Sequence, residues 1–276
     1  MTTILMSTYN GARYLHQQID SIVAQTDHDW RLIIRDDGST DATPAILGYY
    51  AKVHPERISV MSDNRRNVGA MRSFERLLEQ VPADADYVMF ADQDDVWLPE
   101  KVAVTKAKMQ ELEAVHGKQK PIVVHTDLKV VNQDLKEMHP SFWRFSNIRP
   151  EILDRDVHYL GICNAVTGCA MMMNRAALTI SLPFADYAFM HDWWIAEKVM
   201  TEGGIVCPLA QPTILYRQHL SNVVGAVSYR FTLLDWANKW KLSKRSYDAG
   251  HPLVWKNALQ FILWKTKYFF LLHTAK

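Results

Sequence analysis

The stretch "FADQDDVWLPEK", residues 90–101, sets Asp92, Asp94 and Asp95 within four positions directly behind an apolar run. Carboxylates crowded this closely raise one another's pKa unless a cation lies among them. In an extended segment alternate residues point the same way, so Asp92 and Asp94 offer two oxygens to one side. That donor set suits Mg²⁺ or Mn²⁺, with positions left over for phosphate oxygens. The bland alternative is a helix start whose acids face the positive end of the dipole. It accounts for one or two of the acids and less well for the shared side of Asp92 and Asp94.

Other clusters carry the same double reading. Asp36–Asp37–Gly38–Ser39 is a turn before a capped helix, or a place where Asp37 accepts a hydrogen bond from a base N–H with Asp36 beside it. The loop "STYNG" holds Thr8, Tyr9 and Asn10, which are turn residues or nucleotide contacts. "NRRNVGAMRSF" groups Arg65, Arg66 and Arg72 around Asn67 and Gly69, either as solvated surface or as a cradle for a diphosphate or base. In "MHDWW", Asp192 is a helix cap, or a carboxylate raised by apolar surroundings to act as general base. Trp193 and Trp194 beside it offer flat faces to a sugar. His219 is a structural histidine, or a neutral imidazole completing the site of Asp92 and Asp94.

These residues need elements to hold them. "TTILMSTYNG" reads as a strand ending in turn formers, followed by a helix with Leu15, Ile19, Ile22 and Val23 at helical spacing. "WRLIIRDDGS", "ISVMSDN" and "DYVMF" read as further strands, with helical stretches at 70–80 and after Pro99, taken as a first helical position. Strand and helix alternating in this way argue for a parallel sheet covered on both faces. In such sheets ligands gather beyond the carboxyl ends of the strands, where every polar cluster so far falls. Further on, "PIVVHTDLKVV" is a strand, 136–160 is irregular, and "NAVTGCAMMMNRAAL" is a strand running into a helix. "HDWWIAEKVMTEG" is a helix with Asp192 as its cap, and "TILYRQHLSNVVG" is a strand ending in a polar loop.

The 276 residues, 48% hydrophobic, suffice for one large core or two modest ones. Three cysteines in apolar contexts suggest reduced thiols and a cytoplasmic protein. No leader opens the sequence and no run reaches the ~18 apolar residues of a spanning helix. From Tyr229 onward there are nine Lys/Arg against two acids, so the +1 total hides a basic tail and an acidic body. That balance argues against a nucleic-acid partner. The tail interleaves aromatics with lysines, as a docked amphipathic helix or a membrane-interface segment would.

Taken in order, "STYNGARYLHQQIDSIVAQT", "LIIRDDGSTDATP", "NRRNVGAMRSF", "FADQDDVWLPEK", "TGCAMMMNR", "HDWW" and "LYRQHLSNVVG" resemble the family-two glycosyltransferases of the GT-A fold, and among them bacterial rhamnosyltransferases of surface-polysaccharide synthesis. The resemblance implies an α/β fold, a Rossmann-like, mostly parallel sheet flanked by helices. Residues 1–226 would form the catalytic domain, with a nucleotide-binding half (1–120) and an acceptor half (121–226), and 227–276 a helical membrane-associating extension. It further implies a nucleotide-sugar donor (TDP-rhamnose first, UDP-hexoses next) contacted by Thr8, Tyr9, Asn10, Asp36, Asp37, Arg65, Arg66, Asn67, Gly69, Arg72 and Asp92. Mg²⁺ or Mn²⁺ would be held by Asp92, Asp94 and His219. Asp192 would be the base of an inverting displacement. His191, where the family usually has an acid, would join Trp193, Trp194 and Asp95 around a saccharide or lipid-linked acceptor at the inner face of the plasma membrane. The rivals are a sugar nucleotidyltransferase, which "STYNGAR" matches poorly in place of a Gly-rich basic loop, and a non-catalytic sugar- or membrane-binding module.

Overall fold

The computed structural model describes residues 1–63, 67–219, 244, 246–248 and 253–274. Apolar runs that are buried on both sides form the central strands. β1 (Thr2–Thr8), β2 (Trp30–Asp36), β3 (Ile58–Val60) and β4 (Tyr87–Ala91) are parallel and stand side by side in the order β3-β2-β1-β4. Their crossovers are α1 (Ala12–Val23), α2 (Thr43–Val53) and α3 (Ala70–Glu79). In α1 the periodic Leu15, Ile19 and Ile22 are fully buried against the sheet, as their spacing predicts.

The sheet then changes character. A two-residue strand β5 (Val96–Trp97) follows the acidic segment, and α4 (Lys101–His116) begins two residues after Pro99, with Glu100 as its N-cap. Pro99 therefore lies just outside the helix rather than at its first position. β6 (Ile122–Asn132) is followed by β7 (Glu137–His139). The stretch expected to be irregular contains three one-turn helices, α5 (Phe142–Phe145), α6 (Pro150–Leu153) and α7 (Val157–Leu160). A 3-10 turn at Gly168–Ala170 leads into β8 (Met171–Asn174) and α8 (Arg175–Ser181), and then come α9 (His191–Thr201) and β9 (Ile205–Gln218).

β8 enters antiparallel between β4 and β6, β6 pairs parallel with β9, and β5 closes the far edge antiparallel to β9. The sheet is thus mixed: the parallel expectation holds for its first four strands, and β8 reverses the direction. Asp92–Asp95 leave β4 beside this reversal.

One apolar cluster fills the face under α1, α2 and α4, and a second the face under α3, α8 and α9. A third cluster joins α5–α7 to the last described helix, α10 (Ala258–Thr274), through Tyr159, Trp255, Phe261 and Tyr268. The outer side of α10 exposes Leu259, Ile262, Leu263, Phe269 and Phe270. No helix among the described residues is long and apolar enough to cross a membrane.

Candidate active site

The in-register pairing of β1 with β2 sets Thr8 opposite Asp36, so two polar loops start side by side. Thr8 Oγ1 donates to Asp36 Oδ1 at 3.0 Å, and Ser39 satisfies the same carboxylate through its N–H and hydroxyl. Asn10 takes a left-handed backbone (φ 48°) and its Oδ1 accepts from Thr40 N. Asp37, 3% exposed, accepts from Arg35 Nη1 (2.5 Å), Val68 N (2.8 Å) and Gly69 N (2.9 Å). Asp37 therefore anchors the 67–69 loop to the end of β2, where Asn67 N also bonds the Asp37 carbonyl.

Gln93, between the two acids of the motif, pairs with Tyr9 as a backbone would. Its Oε1 accepts from Tyr9 N at 2.9 Å and its Nε2 donates to Tyr9 O at 3.0 Å. A side chain at Gly11 would collide with that amide, which explains the glycine in "STYNG". The acidic segment is thereby tied to the β1 loop.

Its other side is tied to β9. The ladder sets Val96 opposite Leu215, and continuing that antiparallel register brings Arg217 beside Asp94 and His219 beside the acids. Asp95 is fully buried; its Oδ1 accepts from Arg217 N at 3.0 Å, and among the described residues its Oδ2 has only the Cys169 thiol nearby. Asp94 Oδ2 shares a 2.9 Å hydrogen bond with His219 Nε2, and both side chains are partly open. Ligand atoms of Asp92, Asp95 and Cys169 lie within 4.8 Å of one another.

Burial, then the charges of Asp94 and Asp192, push the Asp92 carboxyl up to about 7. Burial raises Asp95 well above the carboxylate range and likewise the Cys169 thiol. A protonated thiol is a poor ligand for a hard cation, whereas carboxylate oxygens and an imidazole suit one. The raised Asp95 and Asp92 carboxyls are the conditions a divalent ion would relieve. The residues present fit such an ion: Asp92 and Asp94 are partly open, Asp94 beside His219, and the buried Asp95 and Cys169 adjoin Asp92.

Asp192 lies at the second position of α9, whose N-cap is Met190, so it is not the cap expected from the sequence. Its Oδ1 accepts from Trp193 N (2.6 Å) and its Oδ2 from Gly168 N (2.9 Å), which aims the carboxylate from both sides. Burial raises its pKa to about 6, against the lowering effect of those N–H groups. The turn that holds Asp192 through Gly168 N also carries Cys169, whose thiol lies within 4.8 Å of the Asp92 carboxylate, so the two acids are near one another. Gly168 makes this approach possible: a Cβ there would overlap the His191 ring and touch Asp192.

Several expected contacts are corrected. His191 is 3% exposed, packed against the adjoining rings of Phe74 and Phe90 at centroid distances of 4.2 and 4.9 Å, and burial pushes its pKa down to about 3. It is a neutral wedge in the core, not an acceptor contact. Trp194 is 7% exposed with Nε1 donating to Ser181 O, so it packs rather than presenting a sugar platform. Asp95 is covered by β9 and is equally out of an acceptor's reach. Arg72 pairs its guanidinium with Glu75 and Asp186. Trp193 remains partly open, its Nε1 bonded to Leu160 O at 3.2 Å. Arg65 and Arg66 lie outside the described residues, as does the expected boundary near residue 226. Gln93, Gly168, Cys169 and Arg217 touch these residues, and sequence reasoning gives none of the four a role at the site. All four stand inside motifs quoted above: Gln93 in "FADQDDVWLPEK", Gly168 and Cys169 in "TGCAMMMNR", and Arg217 in "LYRQHLSNVVG".

Solved structures of similar shape include S. aureus TarS 1–349 in complex with UDP-GlcNAc, which matches 97% of this chain and 72% of that one at TM-score 0.60 and 15% identity. The Pyrobaculum calidifontis mannosyltransferase PcManGT in complex with GDP-Man and Mn²⁺ matches 99% and 81% at TM-score 0.60 and 16% identity. The architecture is that of the GT-A glycosyltransferases. Among relatives by sequence, the dTDP-rhamnosyl transferase RfbG of Shigella flexneri is 27% identical over 229 residues, 80% of this chain and 74% of its own length. Three further glycosyltransferase relatives, 34–35% identical, align over only 30–39% of their lengths. A sequence model described as Glycosyl transferase family 2 matches residues 3–180, and the chain belongs to that family.

Proposed function

We propose that the chain is an inverting, metal-dependent transferase that moves a sugar from a nucleoside-diphosphate donor to a hydroxyl of a saccharide or lipid-linked saccharide in cell-surface polysaccharide synthesis. The observation that carries this reading is Asp192, buried and aimed by two N–H groups, one of them from Gly168, whose next residue, Cys169, adjoins Asp92. A general base then lies near the acids proposed for the diphosphate. Asp192 takes the proton of the acceptor hydroxyl, and that oxygen bonds to the anomeric carbon. The bond from that carbon to the diphosphate breaks, its electron pair leaving with the nucleotide. Asp92 and Asp94, with His219, would hold Mg²⁺ or Mn²⁺, which as a Lewis acid stabilises charge on the departing diphosphate.

The donor lies over the ends of β1 and β2, with Tyr9, Asn10, Asn67 and Gly69 around it. Asp37 reads the base through the lone pair its three donors leave unused, with Asp36 alongside. dTDP-rhamnose is the first donor to test, on the similarity to RfbG; UDP- and GDP-sugars are next, from the ligands of the two solved neighbours. The tail, with α10 apolar on its outer side and no acid after Asp248, suits the anionic inner face of the cytoplasmic membrane. Incubation with each donor, Mn²⁺ and acceptor lipid should release nucleoside diphosphate for one donor class. No release from any donor, with wild type and Asp192→Asn indistinguishable, would end the proposal.

A further inference from the structure

Arg217 is 1% exposed at the end of β9, yet its guanidinium bonds to neutral groups from three other parts of the chain. Nε donates to Asp94 O (2.6 Å), Nη1 to Gln133 O in the β6–β7 turn (2.6 Å), and Nη2 to Gln17 Oε1 on α1 (2.6 Å). Its own backbone N–H holds Asp95. The guanidinium carbon lies 4.4 Å from the ring centroid of Tyr14, and that ring stacks on His219 at 4.9 Å and 27°. His219 in turn bonds Asp94. The contacts close a loop: Arg217 to the Asp94 main chain, Asp94 carboxylate to His219, His219 to Tyr14, and Tyr14 back to Arg217.

We infer that Arg217 is a positioning residue that sets Asp94 and His219 for the donor diphosphate, an inference that rests on the reading of those two residues given above. A buried cation is tolerated when its donors are paired, and the planar fork satisfies three fixed acceptors at once while lying against an aromatic face. A lysine carries the same charge but is a point donor on a flexible stem, so it cannot hold all three. A cavity of about 330 Å³ bordered by Arg13, Tyr14, Gln17, Gln133 and Arg217 lets water reach the groups a substitution would leave unpaired.

The test uses the full chain with Arg217→Lys, His219→Ala and the double variant. Mn²⁺-dependent affinity for dTDP or UDP, whichever the wild type binds, is read by calorimetry, and bound Mn²⁺ by its electron paramagnetic resonance signal. Arg217→Lys should weaken nucleotide affinity about tenfold while the melting temperature stays within a few degrees. In that background His219→Ala should add less than about twofold, because the two residues act as one unit. Nucleotide affinity of Arg217→Lys within twofold of wild type, or losses that multiply in the double variant, would overturn the inference. If His219→Ala alone changes neither readout, the donor role of His219 fails instead. The inference then stands for Asp94 only if Arg217→Lys still weakens binding, and falls if it does not.

Discussion

Burial holds the Asp192 carboxyl at about 6 while two backbone N–H groups fix its oxygens, so near neutral pH it is mostly ionised and aimed. A base works only when deprotonated, so kcat/KM should fall as pH drops through about 6 and level off above it; a flat profile from pH 5 to 8 would remove Asp192 as the base. Asp192→Asn should lower kcat at least about 100-fold, the usual scale for loss of general-base catalysis, and leave nucleotide affinity nearly unchanged. Asp92 gives a complementary expectation. Its folded-state pKa of about 7 exceeds its unfolded value, so it favours folding at low pH and loses that contribution as pH rises through 7. Without metal, Asp92→Asn should raise the melting temperature at pH 8 by about 2 °C or more and change it little at pH 4. Added Mn²⁺ should stabilise the wild type more than this variant.

The element that brings base and acids together is the Gly168–Ala170 turn leading into β8. It lies between the start of α9 and the acidic segment: Gly168 abuts His191 and Asp192, and Cys169 abuts Asp92 and Asp95. Gly168→Ala must displace the His191 ring and with it the first turn of α9. Activity should drop at least about tenfold with a fall of roughly 1–3 kcal/mol in stability, measured by denaturant unfolding. At the opposite end, α10 has two apolar sides. Phe261 and Tyr268 are buried in the third cluster, while Ile262, Leu263 and Phe270 face outward. Replacing these last three by Asp should abolish co-flotation with vesicles rich in anionic lipid and leave the melting temperature within a few degrees. Undiminished flotation would assign any membrane contact to another surface.

On the scale of the whole molecule, the mixed sheet and the third cluster form two distinct regions. The strand ends β1, β2 and β4 gather Asp36, Asp37 and the acidic segment; β9 returns from the far side to bring His219. α10 packs on α7, which packs on α9, so a surface holding the tail would also orient the helix of Asp192. For a metal-dependent reaction, chelation should abolish donor turnover and Mn²⁺ or Mg²⁺ should restore it, whereas Ca²⁺, with longer bonds and looser geometry, should restore little. Full turnover after exhaustive chelation would leave Asp92 and Asp94 without that role.

What the sequence by itself determined is local. Alternating apolar runs and periodic helices set β1 to β4 and their crossovers. Turn chemistry put the acid-bearing loops at the strand ends, and motif spacing singled out Asp92, Asp94, Asp192 and His219 as candidates. Direction and exposure were decided only by the tertiary structure. β8 reverses because its turn inserts it between β4 and β6, a pairing of residues far apart in sequence. His191, Trp194 and Asp95 look like site residues in one dimension because each lies within two positions of Asp94 or Asp192. Yet neighbours along a helix or an irregular turn point in different directions, and these three point into the core. Arg217 and Gln93 show the converse: both stand inside quoted motifs, but their contacts, hydrogen bonds to residues 84 to 200 positions away, are set only by the fold.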